Sequence, residues 1–114
     1  MLYIGFSTVS HKLSARILCK HFRHCAPIII NNDKYILYQF VNKNNIAKII
    51  LTSRDLKILE HHGWKFIKYN GKIAHTRALK SKSIITCVQF TKRFCGINKK
   101  TIQTPDALFR FLTQ

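Results

Sequence analysis

Two side chains of complementary chemistry stand where local structure would activate them. Cys87 is expected in the first turn of a helix, and His24 at the start of a strand. A thiol at a helix N-terminus is favoured as thiolate, because unbonded backbone amides and the helix dipole stabilise the anion. An imidazole within hydrogen-bond reach completes the activation of such a nucleophile. A third polar group should then orient the ring. If the turn after the His24 strand centres on Asn32 and Asp33, His24 lies opposite the end of the next strand. Gln39 and Val41 then share its face. Gln39 is the polar one of the two and takes the orienting part, with Asn42 as the alternative. The Cys87 backbone N–H is the natural donor to an oxyanion, with a second donor expected from the opening segment near Tyr3 or Ser7.

The remaining cysteines and histidines have plainer explanations. Cys95 lies two turns along the Cys87 helix beside Gly96, Cys19 falls on an early helix, and Cys25 alternates away from His24. All three read as packed thiols, since cysteine is among the most often buried residue types. Cys19, His21, His24 and Cys25 are close in sequence, but they contain no CxxC pair and have no matching second half. No metal site and no cofactor are therefore expected. His61 and His62 suit the negative end of a helix, and His75 falls in a basic loop. Trp64, Tyr69 and the phenylalanines read as core.

Twenty Lys and Arg against four acids give a formal charge of +16 in 114 residues. Such a field attracts polyanions and further favours a thiolate. It also disfavours an imidazolium, so a stable thiolate–imidazolium pair needs direct contact. The basic residues are spread along the chain, among them Lys65, Lys68 and Lys72, then Arg77, Lys80 and Lys82, then Lys92, Arg93, Lys99 and Lys100. They form no continuous arm and match no standard nucleic-acid-binding signature. With 46% hydrophobic residues the chain is not a disordered tail. No apolar run reaches the roughly 20 residues that span a bilayer, and Met1 to Ser10 lacks the basic leader and cleavage site of a signal peptide. Four widely spaced cysteines form no disulfide framework. A cytoplasmic protein with reduced thiols is expected.

The elements that must position these groups follow from periodicity and punctuation. Residues 2–6 read as a strand, and Ser10 caps a helix carrying Leu13, Ile17, Leu18 and Phe22 at helical spacing. Residues 24–41 read as a β-hairpin around Asn31–Lys34, with Pro27 marking an irregular or edge position. Ile46–Leu51 is a third strand of this group. Ser53 opens a helix with Asp55 in its first turn and Leu56 and Leu59 on its buried side, closed by Gly63. Trp64–Tyr69 alternates as a strand, and residues 71–82 read as a basic loop. A helix is expected from about Ile84 to Phe94, stopped by Gly96, and Thr104-Pro-Asp106 opens a last one ending near Leu112. The length suits one α+β domain, 1–114, with a small antiparallel sheet and packed helices.

With these elements in place the chain resembles the circularly permuted NlpC/P60 group of papain-like proteins found in bacteria and phages. The resemblance is carried by Tyr3-Ile-Gly-Phe-Ser7, His24-Cys-Ala-Pro-Ile-Ile-Ile30, Thr86-Cys-Val-Gln-Phe-Thr-Lys-Arg-Phe-Cys-Gly-Ile97 and Thr104-Pro-Asp-Ala-Leu108. In that group the histidine precedes the cysteine, as here. The resemblance implies a permuted papain-like architecture with Cys87 as nucleophile, His24 as base and Gln39 as the polar residue on the next strand. It implies cleavage or transfer at an amide, ester or thioester carbonyl. Gln39 stands where the group more often carries an acid, Asn or a second His. A glutamine can hold the ring but cannot neutralise an imidazolium. The expected activity is that of a cysteine-dependent hydrolase or acyltransferase on an acidic or carbonyl-containing substrate. The alternative is a non-enzymatic basic module that binds nucleic acid or anionic lipid, including as a phage or virion component.

Overall fold

The computed structural model describes residues 2–8, 24–42, 45–70 and 86–114. Within them the chain forms strands β1 (Leu2–Ser7), β2 (His24–Asn31), β3 (Lys34–Asn42) and β4 (Asn45–Leu51), then helix α1 (Ser53–His61) and strand β5 (Lys65–Tyr69). Helices α2 (Cys87–Cys95) and α3 (Pro105–Thr113) follow. The strands make one antiparallel sheet in the order β4-β3-β2-β1-β5. An α+β architecture with a small antiparallel sheet is thus observed. The helix expected after Ser10 and the loop at 71–82 lie outside the described residues.

The β2–β3 hairpin turns at Asn32 and Asp33, with Asn31 paired to Lys34 and Asn32 at φ 56°. Asparagine tolerates this left-handed conformation because its short polar side chain bonds locally. From that turn the β2–β3 pairs run back to Ile28↔Leu37 and stop. The stop has a chemical cause. In a two-residue hairpin the positions bonded to the partner strand recur every second residue from the turn, here Asn31, Ile29 and then residue 27. Residue 27 is proline and has no N–H to donate. Pro27 is not at a sheet edge, as one reading of the sequence has it: β2 is the middle strand, and Pro27 is fully buried beside Ile4 of β1.

Side chains on the two faces of β2 enter different cores. One face of the sheet presents Leu2, Ile4, Phe6, Cys25, Tyr38 and Phe40 to Val88, Phe90, Phe94 and Cys95 of α2 and to Leu108 of α3. The other presents Ala26, Ile28 and Leu37 to Leu56 and Leu59 of α1, closed by Trp64 and Phe66. Burial on both faces explains why Cys25-Ala-Pro-Ile-Ile-Ile30 is an unbroken apolar run. Gly5 of β1 lies under this second core, where a Cβ would stand 3.0 Å from the Trp64 ring.

The helix ends are set by their caps. The N-cap of α1 is Thr52 and not Ser53, which is the first helical residue, because Thr52 and Asp55 form a reciprocal capping box. α2 is capped by Thr86, whose hydroxyl accepts from the Gln89 N–H at 3.1 Å, and closes at Gly96 with φ 71°. Thr86 is extended, so this helix begins later than Ile84 and Cys87 is its first residue. α3 is opened by Thr104 and Pro105 as the sequence suggests.

Candidate active site

Cys87 and His24 meet at one end of the sheet. β2 begins with His24, and Ser7 at the end of β1 is its register partner. Trp64, just before β5, lies at the same end, because Lys65 pairs with Phe6. By strand parity His24 belongs with Ala26 and Ile28 on the α1 side. Its ring stands edge-on to Trp64, with centroids 6.0 Å apart. It also lies near the start of α2, close enough to Cys87 to draw that thiol below its ordinary value. Nε2 of the ring is buried. The structure therefore brings the Cys87 thiol and the His24 imidazole to the same place.

A second thiol takes part. Cys25, next to His24 but on the opposite face of β2, points at the first turn of α2. Its Sγ lies 4.0 Å from that of Cys87 and 3.5 Å from Thr91 Oγ1. Cys25 and Thr91 are fully buried, whereas Cys87 is half-buried. The Cys25 thiol donates towards Cys87, and this is the largest influence drawing the Cys87 thiol below its ordinary value. Burial opposes it, while the hydrogen bond and charge of His24 and the Cys25 backbone N–H reinforce it, leaving Cys87 at about 4. Cys25 moves well above its ordinary range, first by burial and then by the anion beside it. The two thiols are thus shifted in opposite directions, Cys87 down and Cys25 up. Cys95 is pushed up to about 12 by burial, as suits a packed core thiol.

Gln39 is half-buried on β3, opposite Ala47 of β4. It lies two residues beyond the last β2–β3 pair, and among the described residues no hydrogen bond joins it to His24. The structure brings Cys87 and His24 together and, among the described residues, shows no bond from Gln39 to either. The side chain of Asn42, and all of Cys19, His21 and His75, lie outside the described residues. Of the two places suggested for a second oxyanion donor, Ser7 is buried opposite His24, while Tyr3 lies towards the far end of β1 opposite Ile28. Among the described residues no three His, Cys, Asp or Glu side chains converge to hold a metal ion.

Cys25 is the site residue that sequence reasoning passed over. The signal was its alternation away from His24, which turns it towards whatever packs on the other face of β2. That neighbour is α2, and Cys87 is its first residue.

A half-buried thiol at a helix start with its pKa lowered and an imidazole nearby is an arrangement that can attack an electrophilic carbon and return a proton to the leaving group. No family model, curated protein or solved structure matches the chain.

Proposed function

We propose that the protein is a cysteine-dependent hydrolase or acyltransferase acting on an amide, ester or thioester bond, built on a permuted NlpC/P60-like scaffold. The observation that carries the reading is that His24 lies close enough to Cys87, the first residue of α2, to draw that thiol below its ordinary value. In this reading the Cys87 thiolate attacks the carbonyl carbon, and the backbone N–H of Cys87 receives the developing oxyanion. His24, as imidazolium, protonates the leaving amine, alcohol or thiol. Water, or a second acceptor, then attacks the acyl-enzyme while neutral His24 takes its proton. Trp64 positions the ring from the side. The order of histidine before cysteine supports the permuted scaffold.

The test uses p-nitrophenyl acetate as a generic acyl donor. A burst of nitrophenolate with one acetyl group on Cys87 is expected, absent in Cys87→Ala and much slowed in His24→Ala. Acetylation of surface lysines alone, with Cys87 no faster than a free thiol, would overturn the reading.

One observation favours the second reading, a non-enzymatic polyanion-binding module. Gln89, Lys92, Arg93, Asn98, Lys99 and Lys100 line a shallow pocket of about 220 Å³ along the C-terminal half of α2 and the segment that follows it, at the opposite end of the helix from Cys87. Lys92 Nζ donates to the Lys99 carbonyl at 2.8 Å and so ties the following loop to the helix. Binding of a generic polyanion that weakens steeply with salt, and function preserved in Cys87→Ala, would favour this reading.

A further inference from the structure

The contact between Cys25 and Cys87 has no part in acyl chemistry that a simpler donor would not fill. A serine or a backbone amide supports a thiolate equally well. What a second thiol adds is the capacity to form a covalent bond with the first. The geometry points to Cys25 as a resolving thiol, with Cys87 the site at which a hydroperoxide is reduced and the two sulfurs then joined in a disulfide.

The burial pattern suits the two parts. Cys87 is half-buried and can meet a small peroxide, whereas Cys25 is fully buried and meets nothing but its neighbours. Resolution is intramolecular, so it needs no solvent access at Cys25. The sulfurs stand 4.0 Å apart, and a disulfide needs about 2.0 Å, so about 2 Å of closure forms the bond. In the first step the Cys87 thiolate attacks the distal peroxide oxygen. The O–O bond breaks, the alkoxide or hydroxide leaves and takes up a proton, and Cys87 becomes a sulfenic acid. In the second, the Cys25 sulfur attacks the Cys87 sulfur. The S–O bond breaks, and the departing hydroxyl leaves as water with the Cys25 proton. Thr91 Oγ1, 3.5 Å from Cys25 Sγ, lies beside the sulfur as it gives up that proton. The peroxide is the two-electron oxidant, and the thiol pair is oxidised by the same two electrons.

The disulfide would remove the acyl nucleophile, so the consequence for activity rests on the hydrolase reading, but the thiol chemistry does not. The reduced protein is treated with a small excess of hydrogen peroxide and digested under non-reducing conditions. A peptide pair linked through Cys25 and Cys87 is expected, reversed by dithiothreitol. In Cys25→Ala, and equally in Cys25→Ser, Cys87 should instead accumulate as a dimedone-trapped sulfenic acid. The inference is overturned if the intact protein accumulates that dimedone adduct with Cys25 still a thiol. It is equally overturned if Cys87 pairs with Cys19 or Cys95. Acetylation by p-nitrophenyl acetate in the same preparation separates the two ideas. Disulfide without acetylation sinks the hydrolase reading alone, and acetylation without disulfide sinks this one alone.

Discussion

Replacing Cys25 by alanine should raise the pKa of Cys87 without moving any element of the fold. The Cys25 thiol is the largest influence holding Cys87 at about 4, and alanine removes it while leaving His24 and the helix start in place. A hydrogen bond to a charged group contributes about 1.5–3 kcal/mol. Sulfur is a weak donor, so the lower end of that range applies. At 1.36 kcal/mol per unit this is a rise of about one unit. The sign follows from the charge: a depressed thiol is reactive above its folded pKa and loses reactivity as pH falls through it. Near pH 4 the thiolate fraction should therefore drop about fivefold in the variant, while at pH 7 the two proteins alkylate at similar rates. The assay is iodoacetamide labelling from pH 3 to 9, read at the Cys87 peptide by mass spectrometry, with circular dichroism to confirm folding. Cys25→Ser, which keeps a donor, should restore the parent profile. Coincident profiles for parent and Cys25→Ala would refute the role of Cys25. A parent profile that rises only through the ordinary thiol range would refute the thiolate itself.

Three further outcomes are expected. Gln39→Ala should leave Cys87 alkylation and acetylation within about twofold, since no bond joins Gln39 to His24; a tenfold fall would restore it as the orienting group. Gly5→Ala, whose methyl would stand 3.0 Å from the Trp64 ring, should cost about 1–3 kcal/mol in urea unfolding. It should also slow acetylation by displacing the ring that flanks His24; an unchanged unfolding midpoint would mean that Trp64 yields freely. Phe90→Ala, fully buried and packed on Phe40 and Phe94, should lose about 3–5 kcal/mol, and a loss below 1 kcal/mol would show that the core collapses into the space.

Much of the local structure was legible because short-range chemistry dictates it. Asn31–Lys34 could be read as a turn, which set the hairpin register by two-residue alternation. Gly96 and Thr104-Pro105 marked helix ends through backbone conformations and caps that need no tertiary partner. Thr52 was missed beside Ser53, since two adjacent hydroxyl residues cap equally well and the Asp55 carboxylate selects the one that closes a capping box. Cys87 was legible as a thiol near a helix start, but Thr86 made it the first helical residue.

What adjacent residues can specify ends at the strand boundary. Alternation separates His24 from Cys25, yet it cannot say which helix covers which face, because that depends on contacts between segments more than sixty residues apart. The same limit applies to Pro27, whose missing N–H is a local property, while its place in the middle strand depends on β1 arriving alongside. Residue chemistry supplied a thiol and an imidazole. The packing of α2 against the Cys25 face of β2 brought them into contact and set a second sulfur beneath them, because only the folded chain determines which buried groups must share one proton.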